Sequence, residues 1–158
     1  MGTRSLTHVY DDDGKTILLT MYRQMDGYPS GLGQELVDFL FGKRSKNGTY
    51  KNPMVVVNGF GSGTPKKAAN GMGCLAALLV SRLKGDQIGS VYIYPPGSTD
   101  CGEEYVYSIR LGDPVVGKTG HATGNTVKVT FHSTYKVDRE VEQSLPEYLA
   151  AEALANKE

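Results

Sequence analysis

From Asn70 to Lys84 the apolar residues Met72, Leu75, Ala76, Leu79 and Leu83 recur at helical spacing. Such a stripe must be buried, and each large side chain contributes about 1.5–3 kcal/mol when it is. This helix is the expected centre of the core. Asn70 is placed to cap it, and Lys84-Gly85 to end it. Gly71 and Gly73 each cost about 1 kcal/mol relative to Ala in a helix, which fits close approach to another backbone or to a ligand. Cys74 reads as a small core residue on this helix.

The rest of the pattern supplies the surface against which that stripe packs. Ser5 to Tyr10 and Thr16 to Tyr22 are rich in Thr, Val, Ile, Leu and Tyr, with Asp13-Gly14 between them as a hairpin turn. Ile17, Leu19 and Met21 share one face of the second strand. A helix is predicted from about Ser30 to Phe41, with Leu32, Leu36, Phe39 and Leu40 on one side and Gly42 as its stop. Met54 to Val57 is a short apolar run that reads as a strand. Val91 to Tyr94, Glu104 to Leu111 and Thr126 to Phe131 alternate as strands do, and the segment 144–158 reads as a C-terminal helical tail. The order ββαβαβββα predicts a single α+β domain over 1–158: an antiparallel sheet of about five or six strands, two helices packed on it, and the terminal helix.

Composition narrows the function classes. Lys plus Arg and Asp plus Glu both number 17, so the formal net charge is zero. A dedicated duplex nucleic-acid binder normally carries a basic surplus, so that class is disfavoured. The same neutrality permits self-association, and a homo-oligomer is expected. No apolar run approaches the roughly 18 residues of a membrane span. The start Met1-Gly2-Thr3-Arg4-Ser5-Leu6 is neither a secretory nor a myristoylation signal, and two cysteines make no disulfide framework. The chain therefore reads as soluble and cytoplasmic.

Two loops carry the candidate chemistry. In Tyr22-Arg23-Gln24-Met25-Asp26-Gly27-Tyr28-Pro29-Ser30, Arg23 and Gln24 suit phosphate, ribose or carboxylate. Tyr22 and Tyr28 offer flat surfaces for a base, Asp26 accepts from a hydroxyl or amine, and Ser30 opens the helix. The same residues also compose an ordinary capped turn. In Asn58-Gly59-Phe60-Gly61-Ser62-Gly63-Thr64-Pro65-Lys66-Lys67, Gly59, Gly61 and Gly63 allow close backbone approach and Lys66 and Lys67 supply charge. That spacing matches neither a dinucleotide fingerprint nor a P-loop, and a plain surface loop has the same composition. Arg4 is a further candidate anion contact.

Catalytic patterns are sparse. His8, His121 and His132 have no metal-binding partner at a recognised interval, so no metal or other cofactor is expected. His121, in a glycine-rich loop, is the best candidate acid or base. Cys101 lies beside carboxylates that raise a thiol pKa rather than lower it. Tyr92, Tyr94, Tyr105 and Tyr107 alternate in two consecutive strands that could pair as a hairpin, where they would make a same-face packing ladder, a stacking platform or a subunit interface.

The opening Thr3-Arg4-Ser5, followed by Tyr22 to Ser30 and then Gly31-x-Gly33, resembles a group of small uncharacterised proteins of phages and bacterial mobile elements. The resemblance covers the first quarter of the chain. Many members carry His and Trp before the Asp-Gly-Tyr-Pro element, where this chain has Gln24 and Met25. A phage setting implies counter-defence, and in size the chain is similar in kind to sponge proteins that sequester nucleotide-derived immune signals. The expected function is non-enzymatic binding of a small phosphate-bearing ligand, such as a cyclic nucleotide or an ADP-ribose derivative, by Arg4, Tyr22, Arg23, Gln24, Asp26, Tyr28, Ser30, Gly59, Gly61, Gly63, Lys66 and Lys67. The alternatives are a small hydrolase or transferase using His121, Asp26 or Cys101, and a protein-protein inhibitor.

Overall fold

The computed structural model describes residues 2–42, 55–57, 67–116, 122–134 and 142–155. Strands β1 (Ser5–Tyr10) and β2 (Ile17–Arg23) form the expected hairpin. A π-helical turn over Pro29–Gly33 leads into α1 (Gln34–Phe41), so the regular α-helix starts later than its apolar spacing implies. Then come β3 (Val55–Val57), β4 (Lys67–Ala69), α2 (Gly71–Lys84), β5 (Val91–Tyr94), β6 (Tyr105–Val116), β7 (Ala122–Ser133), β8 (Gln143–Ser144) and α3 (Leu145–Ala155). The polar segment Lys43 to Asn52 lies outside the described residues.

The class is α+β, as the element order implies, and the sheet is mixed. Its described strands number eight, in the order β4-β3-β7-β6-β1-β2-β5, with β8 also on β7. Two pairings are parallel, β1 with β6 and β3 with β4, where an all-antiparallel sheet was expected. For the first of these the cause is that β6 enters beside β1 instead of folding back on β5. The predicted hairpin of Tyr92, Tyr94, Tyr105 and Tyr107 therefore does not form. Strand β5 pairs with β2, and β6 lies between β1 and β7.

Alternation gives the sheet two unlike faces. Thr7, Val9, Met21, Tyr107, Ile109, Val127, Val129 and Phe131 fall on one of them by register. Apart from Thr7, these join Leu36, Val37 and Leu40 of α1, Met72, Leu75 and Leu79 of α2, and Leu145 and Leu149 of α3 in one buried cluster. All three described helices thus pack on that face. Tyr107 and Phe131 stack at 6.1 Å, and Tyr148 meets Phe131 edge-on at 5.0 Å, which seats α3. Cys74, expected in the core, is exposed, because its position falls off the stripe that faces the sheet. Gly73 meets nothing within 4 Å, so the close approach expected there is not made by it.

The start of α2 is held from a distance. Asn70 stands at the N-cap position but makes no side-chain cap hydrogen bond. Instead the Met72 amide donates to Asp12 Oδ1 at 2.9 Å, so the β1–β2 turn caps the central helix. The reason is topological: the hairpin end carries the carboxylate to exposed amides that Asn70 does not reach. Within the same turn, amides of Thr16 and Lys15 and the Thr16 hydroxyl donate to Asp13 and pull its pKa down to about 2.

Asp12→Ala is expected to destabilise the protein by about 1 kcal/mol, while Asn70→Ala stays within a few tenths. Urea unfolding of the two variants distinguishes them, and equal losses would contradict the long-range cap. The Asp13 carboxyl should titrate near 2 by NMR; its stabilising contribution is present above the ordinary value of 3.8 and is lost as pH falls through about 2.

Candidate functional site

The first loop is a built turn. The Arg23 guanidinium is committed: Nε donates to the Met25 carbonyl at 2.8 Å, and Nη1 pairs with Glu35 Oε2 of α1. Its register opposite Ser5 turns Arg23 to the helix-bearing face, and Tyr22, one residue earlier, to the other. Asp26 holds a left-handed backbone at φ 56°, and its carbonyl accepts from Leu32 N at 2.9 Å. Gly31 is required here, because a Cβ would stand 2.4 Å from the Asp26 carbonyl oxygen. From below, the buried Tyr107 hydroxyl donates to the Gly27 carbonyl at 2.6 Å, and Gly27 N donates to Thr3 O at 2.9 Å.

Gln24, Asp26, Tyr28 and Ser30 remain exposed on this turn, with the Tyr28 hydroxyl 3.3 Å from Asp26 Oδ1. Tyr22 is buried, stacked on Tyr94 at 4.9 Å and 6° and tilted against Tyr92 at 6.0 Å. Its ring is occupied by packing, not held open for a base. Arg4 lies against Gly102 in the β5–β6 connection, where its Nη1 would sit 2.7 Å from an added Cβ.

Of the second loop, Gly59, Gly61, Gly63 and Lys66 lie outside the described residues, as does His121. Lys67 begins β4, the edge strand opposite the β5 end of the sheet. Four strands intervene between β4 and β2, so at about 4.8 Å per strand Lys67 and Arg23 stand roughly 24 Å apart. The described part of the loop pair is therefore not brought together within one subunit.

A different constellation is assembled on the face where no described helix lies. Reading across the register, Tyr94, Thr20, His8, Ser108, Thr130 and Ser144 form one transverse row over β5, β2, β1, β6, β7 and β8. Thr20, His8, Ser108 and Thr130 are each more than nine-tenths buried. From Thr20 to Thr130 the row spans three strand steps, about 14 Å. Thr20 Oγ1 lies 2.8 Å from His8 Nδ1 and accepts from Gly97 N at 2.9 Å, which fastens the β5–β6 connection across this face. Burying unpaired hydroxyls and an imidazole costs free energy, and the Thr20–His8 bond offsets that cost at one end of the row.

Charge flanks the row on both sides. In the next register row Arg110 lies over the Tyr10 ring, its guanidinium carbon 4.0 Å from the centroid, with Lys128 opposite it on β7. Glu142 Oε2 accepts from Thr130 Oγ1 at 3.2 Å and sits 3.6 Å from Arg110 Nη1. On the other side His132 pairs with Val106, and its Nδ1 is buried without a hydrogen-bond partner. Burial lowers the His8 pKa, helped by His132 and Arg110 and opposed by Glu103, so at neutral pH His8 is an uncharged donor and acceptor.

This row escaped the sequence reading because each member looks like an ordinary strand residue. The available signal was alternation: His8 and Thr20 occupy positions one out of phase with Val9 and Met21, and therefore share the opposite face. Cys101 is not activated. Burial raises its pKa, with Glu103 and Asp100 adding to the effect. Among the described residues no group of three or more His, Cys, Asp or Glu side chains is arranged to hold a metal, and no helix is long and apolar enough to cross a membrane.

Because the folded pKa of His8 lies below its unfolded value of 6.5, its stabilising contribution is complete above 6.5 and is lost as pH falls through the lower folded value. Wild type should therefore lose more urea stability than His8→Asn between pH of about 7.5 and 5, and parallel curves would exclude His8 as the source. Tyr107→Phe strands the Gly27 carbonyl and is expected to cost about 1–3 kcal/mol in the same assay. No protein-family model matches this chain, and no curated protein or solved structure is significantly similar to it.

Proposed function

We propose that this chain is a non-enzymatic binding protein that sequesters a small phosphate-bearing ligand of nucleotide size along the row Thr20–His8–Ser108–Thr130. The observation that carries this reading is the row itself. Hydroxyl and imidazole groups from four strands, deeply placed in register, are unusual on a sheet face without a helix, where apolar packing would be simpler. Arg110 is the charged anchor. Its planar guanidinium rests on Tyr10 and meets Glu142 at 3.6 Å, longer than a hydrogen bond. A phosphate accepting two N–H groups from that fork makes a stronger, charge-assisted contact. With the β5–β6 connection lifted from Thr20, where Gly97 N now holds it, His8 and the hydroxyls read ribose or base edges without adding charge.

In this reading Arg23 is a strut that closes the first loop through Glu35, and the exposed Gln24, Asp26, Tyr28 and Ser30 are secondary contacts. Capture of a nucleotide-derived signal, cyclic or ADP-ribose-like, is the role that phage counter-defence sponges perform, and it requires affinity without turnover. Calorimetry against a panel of mononucleotides, cyclic nucleotides and ADP-ribose is expected to find a binder. Arg110→Ala and His8→Ala are expected to weaken it at least tenfold, the equivalent of about 1.4 kcal/mol, whereas Arg23→Ala lowers stability and leaves affinity within about twofold. Equal affinity in the Arg110 and His8 variants, or no binder in the panel, would reject the site. Mass analysis of the incubated ligand should recover it intact, and turnover would reject the non-enzymatic role.

A further inference from the structure

Among the described strands β5 ends the sheet, and its sequence Val91-Tyr92-Ile93-Tyr94 carries no charge. Beside it the apolar surface is unusually open: Ile88 is 100% exposed, Ile93 57% and Tyr92 42%. An apolar edge of this kind invites another strand unless something guards it.

The direction of the main-chain groups on β5 follows from hydrogen bonds at the far end of the hairpin. The Thr3 carbonyl accepts from Gly27 on the β2 side of β1, and the Arg4 carbonyl accepts from Glu104 on the β6 side. Alternation then turns Ser5 and Thr7 toward β2, so their partners Arg23 and Met21 face β1. Tyr22 and Thr20 face β5, where they meet Tyr92 and Tyr94. The amides and carbonyls of Val91 and Ile93 are consequently turned outward, with Ile93 open and Val91 only 6% exposed beneath its neighbours. Lys84 of α2 agrees with this: its Nζ donates to the Val91 carbonyl at 3.0 Å and stands 5.7 Å from the centroid of the Tyr92 ring. One lysine therefore wraps the free edge.

We propose that this edge is the docking surface for a second copy of the same chain, through antiparallel β5–β5 pairing about a two-fold axis at Tyr92. In that register Val91 of each copy faces Ile93 of the other, and all four outward donors and acceptors of the two residues are satisfied in two hydrogen-bonded pairs. The register centred on Ile93 is excluded, because it sets Val91 against Pro95, which has no N–H. A formal net charge of zero leaves no repulsion between copies. The Tyr22, Tyr92 and Tyr94 clusters of both copies then adjoin on the face without helices, with the two Tyr92 rings at the axis. Lys84 is the gate, since its Nζ must leave the Val91 carbonyl before a strand can take its place. An edge of four residues makes a small interface, so the dimer is weak and concentration-dependent. This proposal does not rest on the ligand reading.

Sedimentation velocity over a concentration series tests it on the full chain. Wild type is expected to show a monomer–dimer equilibrium, and Lys84→Ala to tighten it roughly tenfold by removing the competing donor. Ile93→Pro should be monomeric throughout; it removes an outward amide with no partner among the described residues, and circular dichroism should show a retained fold. Tyr92→Cys, with Cys74 and Cys101 replaced by Ser, should form a disulfide-linked dimer on oxidation, because the axial pair places like residues at close Cβ distance. A wild type that stays monomeric at every concentration, or a dimer that survives Ile93→Pro, overturns the proposal. Strand addition by a peptide from another protein with no self-association would do the same.

Discussion

The register of β1 between β2 and β6 is the constraint on which the rest depends. Thr7 and Val9 are fixed toward the helices, and Leu6, His8 and Tyr10 toward the opposite face, by antiparallel pairing on one side and parallel pairing on the other. A slip of one residue would put His8 into the apolar cluster and Val9 outside it. Two independent sets of hydrogen bonds resist that slip. The Thr3 and Arg4 carbonyls pin the lower end, and Asp12 at the upper end ties the hairpin to α2.

The two faces divide the work. The helix-bearing face holds the cluster that stabilises the fold, and it is dominated by Leu, Val, Ile and Met side chains. The other face buries hydroxyls and an imidazole, which contribute little to stability by themselves and impose a cost if left unpaired. The Thr20 hydroxyl answers that cost for His8 and at the same time anchors the crossing segment through Gly97. The lowered His8 pKa leaves the imidazole uncharged at neutral pH, and the charge beside the row comes from Arg110, Lys128 and Glu142.

Much of the fold was legible locally. The stripe of α2, the Asp13-Gly14 hairpin and the strands around Val91, Tyr105 and Thr126 follow from period and turn chemistry alone, and each recurs in the structure within a few residues. Errors arose where a residue's partner lies far along the chain. Asn70 has the right chemistry for a cap, yet Asp12, 58 positions earlier by sequence number, supplies it. Tyr92 and Tyr105 looked like hairpin partners because they are close in sequence, but β6 inserts beside β1. Nor does the sequence indicate that Glu35, in the first turn of α1, pairs with Arg23.

By itself the sequence determined the longer helices and strands and which side of each is apolar, since those properties repeat over several residues; the short strands β4 and β8 and the π-helical turn carry too few residues to show a period. Only the tertiary structure decided which strands are neighbours. That choice aligned Thr20, His8, Ser108 and Thr130 into one row and left β5 at the edge. The physical reason is that pairing is non-local: periodicity says which side chains share a face of one strand, whereas the order and register of the sheet are set by how all the apolar faces are buried together.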